Sequence, residues 1–362
     1  MKSLIERPPV EGPDLRTIQT SSTSAPAASR VAQRPSSAPH RQLGLSDRSA
    51  TDLYYAMLVS RLLSKQCLGL ATQGAFDVAI PSDGHEAAQA ASIWALRPRD
   101  KVFLFYRSLA AAYARGMTAR ELMLDHFRRA DSPSSGGRNL PGHWAKRALA
   151  LMTISGSVAT QIPHAVGVAL ASKLRGEDDV TIVYFGDGAV SKGDFHEGVS
   201  YAAIHKLPVV VFCENNGLAI TVPFRSQSPV PSVAARASGY GIPAEAVDGA
   251  DALAVYAATC AALERARRGQ GPTLVEARVA RLGQHTNQVA DSRPAEELAA
   301  ERARDPLPRL AGYLRTQGLL DEAGESELQA RAAAEVTDAV EFARAAAEPA
   351  PGTVLTEVVS NQ

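Results

Sequence analysis

Two short apolar runs, each ending in a polar turn, restrict this chain more than any other feature. Thr181-Ile182-Val183-Tyr184-Phe185 leads into Gly186-Asp187-Gly188, and Pro208-Val209-Val210-Val211-Phe212-Cys213 leads toward Asn215-Asn216-Gly217. Neither run alternates apolar with polar residues, the pattern of a strand covered on both faces of a parallel sheet. Parallel neighbours need a crossover, and residues 189–214 give room for one turn, one helix and one strand. Within that interval Phe195, Val199, Ala202 and Ala203 recur at helical spacing from Asp194 to His205, with Asp194 as N-cap. The expectation is a single right-handed βαβ unit.

Both turns would then leave the sheet at its carboxyl edge, where open α/β sheets bind ligands. The Asp187 carboxylate, the Asn216 amide oxygen and a main-chain carbonyl just beyond, that of Leu218, suit a hard octahedral cation that keeps some ligands from water or phosphate. Mg²⁺ carrying a diphosphate is the natural occupant. Gly186 and Gly188 let the backbone approach phosphate oxygens, and the helix opening near Asp194 brings its positive end nearby. A Gly-Asp-Gly triplet alone is more often a plain turn. Its pairing with Asn215-Asn216 gives it content. A nicotinamide-dinucleotide site fits poorly, because the third glycine of that register is missing.

The paired motif resembles the signature of thiamine diphosphate enzymes, and the flanking text is more specific still. Residues 155–167, 193–198, 205–208 and 213–217 resemble the α subunit of 2-oxo acid dehydrogenase complexes, and Ser135 to His143 is similar to the branched-chain type. The resemblance runs from about Ser46 to the C-terminus and thins after Arg281. It implies an α/β fold, a parallel sheet flanked by helices that binds thiamine diphosphate, with Asp187, Asn216 and the Leu218 carbonyl on Mg²⁺. It places Tyr106 and Arg107 at the diphosphate, where a planar guanidinium can grip two oxygens. Ser157, Val158, Gly186, Gly188 and Ala189 would complete the cofactor site, Val158 holding the cofactor bent; from the sequence alone Val158 reads as ordinary core. His285, followed by the hydroxyl of Thr286, corresponds to the histidine that sits at the diphosphate and helps receive the lipoyl group. His143 corresponds to a second active-site histidine. Ser155, Ser157, Thr160 and Gln161 correspond to a K⁺ loop in some branched-chain members, although Ser and Thr cap helices far more often than they bind K⁺.

The same resemblance implies partners. The glutamate that activates the cofactor belongs to a separate β subunit, so the site would lie between unlike chains of an α₂β₂ heterotetramer. A lipoyl acyltransferase would take the acyl group of the 2-oxo acid substrate, and a flavin dihydrolipoyl dehydrogenase would complete the complex. The chain departs from the family after His285: the acidic cluster is reduced to Asp291, and Ser292 stands where tyrosine precedes Arg293. Lys192 is a second departure, either assisting the diphosphate or solvated in its turn. The leading expectation is the decarboxylating α subunit of a branched-chain 2-oxo acid dehydrogenase. The alternatives are the same chemistry on pyruvate or acetoin, and a cofactor-binding paralogue that has lost lipoyl transfer.

The rest of the chain excludes more than it adds. Lys and Arg total 38, as do Asp and Glu, a balance that argues against a nucleic-acid partner. No apolar run approaches the ~20 residues of a membrane span, and Cys67, Cys213 and Cys260 are dispersed, reading as reduced core thiols of a soluble, cytoplasmic protein. Residues 1–45, rich in Ser, Ala and Pro, read as a flexible arm. Arg30, Arg34 and Arg41 resemble a transit peptide, against which Glu6, Glu11 and Asp14 count. Residues 46–300 form the expected cofactor-binding domain and 301–362 a helical C-terminal extension, with breaks at Pro306, Pro308 and Gly318. Helices are also expected from Asp52 to Leu70 and from Pro81 to Trp94, and a strand from Pro272 to Ala280.

Overall fold

A computed structural model describes residues 40–356. Helices α1 (Asp47–Thr72) and α2 (Glu86–Trp94) precede strand β1 (Lys101–Phe103), followed by α3 (Leu109–Ala114), α4 (Ala119–His126) and α5 (Gln161–Leu174). Then come β2 (Thr181–Gly186), α6 (Gly193–Ile204), β3 (Val209–Asn215), the hairpin β4 (Leu218–Ala219) and β5 (Val222–Pro223), and α7 (Phe224–Gln227). The chain continues through β6 (Ala244–Asp248), α8 (Ala252–Arg267), β7 (Thr273–Arg278), α9 (Ala295–Arg302), α10 (Pro306–Thr316) and α11 (Glu322–Ala345).

Five strands form one parallel sheet in the order β1-β2-β3-β7-β6. The expected βαβ unit is β2-α6-β3, its strands direct neighbours. Alternate side chains serve opposite faces: Ile182, Tyr184, Val210 and Phe212 join the core under α1, α2, α8 and the C-terminal helices, while Val183, Phe185, Val209 and Val211 join the core under α5 and α6. Both faces are therefore dry, which is why neither strand alternates in sequence. Register then fixes the edge: Gly186 lies opposite Glu214 and Asn215 opposite Arg278, so Asp187, Asn216 and Val279 leave the sheet together.

Several boundaries differ from the sequence reading. Helix α6 begins at Gly193 with Lys192 in the cap position and no side-chain cap, so Asp194 sits in the first turn, where its charge still favours the positive end. A 3₁₀ turn, Asp187–Ser191, fills the gap before it. Helix α2 starts at Glu86 rather than Pro81. The break expected at Pro306 lies just before it, between α9 and α10; Pro308 breaks nothing, since both prolines sit in the first turn of α10, where the missing N–H costs nothing, and Asp305 caps that end by accepting from Leu307 N at 3.0 Å. Residues 1–39 of the expected arm lie outside the described residues. His40 is fully buried, with its ring on the Tyr313 hydroxyl at 2.8 Å and Asp47 at 2.9 Å, so residues 40–45 pack against the domain. The boundary expected at 300 falls inside α9, and α11 packs on α1 and α4 through Ala332, Val336, Ala339 and Ala343. Cys67 and Cys213 are buried and Cys260 is half-buried; all three are free. Among the described residues no helix is long and apolar enough to cross a membrane.

Candidate active site

A cleft of about 190 Å³ opens at the carboxyl edge of β1, β2 and β3. Tyr106, Ser157, Val158, Gly186, Gly188, Ala189 and Leu218 line it, so seven of the residues proposed from sequence share one cavity. Gly188 is there for space: a Cβ on it would lie 2.8 Å from Ala219 Cβ, so a side chain would push the 3₁₀ turn off the β4 hairpin. Val158 is no core residue. It is 47% exposed at the cleft wall, alongside Ile220, which is 52% exposed.

Asp187 follows β2 directly and is fully buried, yet neither carboxylate oxygen has a hydrogen-bond partner among the described residues. Burial pushes its pKa up to about 6; the main-chain N–H groups of Asp187 and Asn216, close but outside hydrogen-bonding geometry, and the charge of Arg281 offset part of that rise. A buried carboxylate with nothing bound to it costs free energy, which a cation held there would recover. Asn216 Oδ1 accepts from Leu218 N at 3.1 Å and keeps a free lone pair. One ionised oxygen ligand, one amide oxygen and the nearby Leu218 carbonyl make a donor set that fits Mg²⁺.

Arg107 leaves the loop after β1 and is buried, its guanidinium bonded to Pro81 O and to His285 Nδ1, the latter at 3.0 Å. Guanidinium only donates, so the neutral His285 ring accepts at Nδ1 and carries its hydrogen on Nε2. Burial, then the charges of Arg107 and Arg281, lower the His285 pKa to about 4, holding the ring neutral at pH 7. Tyr106 meets the same ring edge-on at 6.1 Å. His143 follows Gly142, whose φ of +86° and close approach to Tyr106 O exclude a side chain. Its Nδ1 donates to Leu140 O at 3.0 Å, leaving a buried, unpartnered Nε2 facing Gly156 on the cleft wall.

The four residues matched to a K⁺ loop are occupied with each other and with the main chain. Ser155 Oγ accepts from Ser157 N, Thr160 Oγ1 donates to Ser157 O, and Gln161 Nε2 donates to Tyr184 O, at 3.1, 2.9 and 3.0 Å. These are bonds of a turn opening a helix. Lys192 is exposed in the turn before α6. The loop after His285 is held by other means than an acidic cluster. Asn287 exchanges bonds with Ala79, and its Nδ2 and Gln288 Nε2 both donate to Asp77 O. Arg293 pairs with Asp291 at 2.7 Å and donates to the carbonyls of Arg281 and Gly283, each at 2.8 Å.

Four residues of this region escaped the sequence reading. Arg281 donates to Ile220 O at 2.6 Å, holding a β-branched residue at φ +56° beside the cleft. Glu214, His85 and Gln89 form a buried polar group behind Asn216. One signal was available: Glu214 is a charge at the end of an apolar buried strand, and such a charge needs a partner.

Comparison with known proteins adds an independent finding. The sequence profile of the Dehydrogenase E1 component family matches residues 54–352. The 2-oxoisovalerate dehydrogenase subunit alpha of Bacillus subtilis (strain 168) is 42% identical over 319 residues, 87% of this chain and 97% of that protein. The 3-methyl-2-oxobutanoate dehydrogenase subunit alpha of Mycobacterium tuberculosis (strain CDC 1551 / Oshkosh) is 38% identical over 80% of this chain and 77% of its own length. The pyruvate dehydrogenase E1 component subunit alpha of Staphylococcus aureus (strain Mu50 / ATCC 700699) is 37% identical over 83% and 79%.

Proposed function

Because the chain belongs to the dehydrogenase E1 component family, we propose that it is the α subunit of a thiamine diphosphate-dependent 2-oxo acid dehydrogenase acting on branched-chain substrates. The observation that carries this reading is Asp187: a fully buried, unpartnered carboxylate at the sheet edge, among residues matching a metal-diphosphate motif. The cofactor, when bound, supplies the electron sink for loss of carbon dioxide.

Asp187, Asn216 Oδ1 and the Leu218 carbonyl hold Mg²⁺. Arg107 grips the diphosphate, with Tyr106, Ser157, Gly186, Gly188 and Ala189 completing the wall. Val158 supports the bent cofactor from the apolar side and, with Ile220, keeps water out. His285, neutral at pH 7, offers Nε2–H to an anionic oxygen, and His143 Nε2, beside Gly156, accepts a hydrogen bond. K⁺ has no part in this proposal: Thr160 and Gln161 donate to the main-chain carbonyls of Ser157 and Tyr184, the bonds of a turn opening a helix.

No group on the described cleft wall is a carboxylic acid placed to activate the cofactor's aminopyrimidine, and the cleft rim exposes Val158 and Ile220. Both facts support closure of the site by a β subunit. Asn287, Gln288 and Arg293 already fasten the His285 loop, which supports retained acyl transfer to a lipoyl acyltransferase despite the reduced acidic cluster.

The test is to co-express the chain with its β subunit and measure 2-oxo acid decarboxylation with an artificial acceptor and lipoamide reduction separately. The proposal expects both, with 2-oxoisovalerate preferred over pyruvate. A cofactor-loaded assembly without decarboxylation would defeat it, and decarboxylation without lipoyl transfer would favour the diverted paralogue. The similarity to the Staphylococcus aureus pyruvate dehydrogenase subunit keeps pyruvate as the second reading. One methylene separates such substrates by only ~1–3 kcal/mol, so the ratio of kcat/KM decides.

A further inference from the structure

Behind the metal-binding residues lies a polar cluster with no exposed member. His85, Gln89 and Glu214 are each fully buried, at the start of α2, within α2 and near the end of β3. His85 Nδ1 lies 2.6 Å from Glu214 Oε2, and His85 Nε2 lies 3.3 Å from Asn216 Nδ2. The carboxylate can only accept, so Nδ1 carries the hydrogen and Nε2 accepts from the Asn216 amide nitrogen. Gln89 Nε2 donates to the same Glu214 oxygen at 2.7 Å and to Arg107 O at 3.0 Å, while Gln89 Oε1 accepts from Ala110 N at 3.0 Å.

We propose that His85 is a positioning residue for the metal site: fixed by Glu214, it holds the Asn216 amide with nitrogen turned away and oxygen toward the cation. Without that partner only the Leu218 N–H on Oδ1, at 3.1 Å, opposes a 180° rotation that would present NH₂, which repels a cation, where Oδ1 should be. The same cluster reaches Arg107 through Gln89. The groups facing the two ends of the diphosphate, Asn216 and Arg107, are thus built on one buried frame. A carboxylate and two polar side chains buried together favour such a role over simple packing, since apolar residues of the same volume would fill that space at lower cost.

The inference rests on the reading of Asp187 and Asn216 as metal ligands, and its test separates the two. In the protein assembled with its β subunit, thiamine diphosphate binding is followed by calorimetry across a Mg²⁺ titration. Wild type binding that ignored Mg²⁺ would defeat the metal reading itself, before any variant is compared. Given Mg²⁺ dependence, His85→Leu is expected to raise the half-saturating Mg²⁺ by about 10- to 100-fold, the usual effect of losing a partner of a metal ligand. His85→Gln, whose amide can both donate to Glu214 and accept from Asn216, is expected to stay within about twofold. His85→Asn, polar but too short to reach, should resemble His85→Leu, and it carries the comparison if the leucine variant fails to assemble. Equal Mg²⁺ requirements in all three variants and wild type would overturn the proposal. Failure of even His85→Gln to assemble would overturn it too, by making His85 a folding residue.

Discussion

The site is built from single residues whose local cost makes sense only with something bound. His285 is held neutral by burial and by two arginines, with a pKa of about 4 against an ordinary 6.5. The unfolded chain therefore binds more protons than the folded one between those values, and stability falls as pH is lowered through that window. Replacing His285 with Gln should flatten the loss of stability between pH 6.5 and 4 and leave the pH dependence above pH 7 unchanged, as read from urea midpoints across pH. Ile220 is the second such residue. A β-branched side chain at φ +56° is strained by ~1–3 kcal/mol, yet Arg281 fastens its carbonyl and leaves the side chain at the cleft mouth. Ile220→Gly should stabilise the protein by about 1 kcal/mol while lowering decarboxylation, because the gain in backbone comfort removes the apolar wall. A variant that is both more stable and fully active would show the strain to be incidental.

At the scale of elements, the helical layer over the sheet is tied by one buried ion network. Arg61 of α1 reaches Glu86 of α2 at 2.5 Å and Asp305 at the start of α10 at 2.9 Å. Burial raises the Glu86 pKa, and Arg61 opposes that rise. Removing one partner leaves the other charge buried, so Arg61→Met should cost about 3–5 kcal/mol in chemical denaturation. Asp305→Asn, at the more open end, should cost clearly less. The strands of this layer were legible in the sequence because burial on both faces writes continuous apolar runs, and Thr181–Gly186 and Val209–Asn215 begin and end within two residues of expectation. Helix starts were less legible. Caps here depend on where the backbone is pulled, and the 3₁₀ turn after Asp187 moved the start of α6 to Gly193. Pro308 differs from expectation for the same reason: the effect of proline reverses between the first turn of a helix and the interior, and only the fold says which applies.

On the scale of the whole molecule, the motif residues fall around one crevice because the sheet register delivers Gly186, Glu214, Asn215 and Arg278 to the same edge. Local sequence carried the ligands that follow strands. It could not carry His85 or Gln89, which come from a helix over a hundred residues away from Asn216 in the chain and meet it only after folding. Nor could it separate Val158 from core, since an apolar residue at a cleft wall and one in the interior look alike until a partner's absence leaves it exposed. On the proposed function the chain supplies half a site, with an apolar rim that a β subunit would cover.

The central claim is that the buried Asp187 carboxylate is kept for a cation that carries a diphosphate. Asp187→Asn keeps the shape and removes the charge, so thiamine diphosphate affinity and thermal stability, measured together on the assembled protein across a Mg²⁺ titration, test the claim directly. The account predicts that Mg²⁺-dependent binding weakens by at least about 100-fold while cofactor-free stability is unchanged or higher, because an unpartnered buried charge is gone. Cofactor binding with an unaltered Mg²⁺ requirement in a stably folded variant would contradict it.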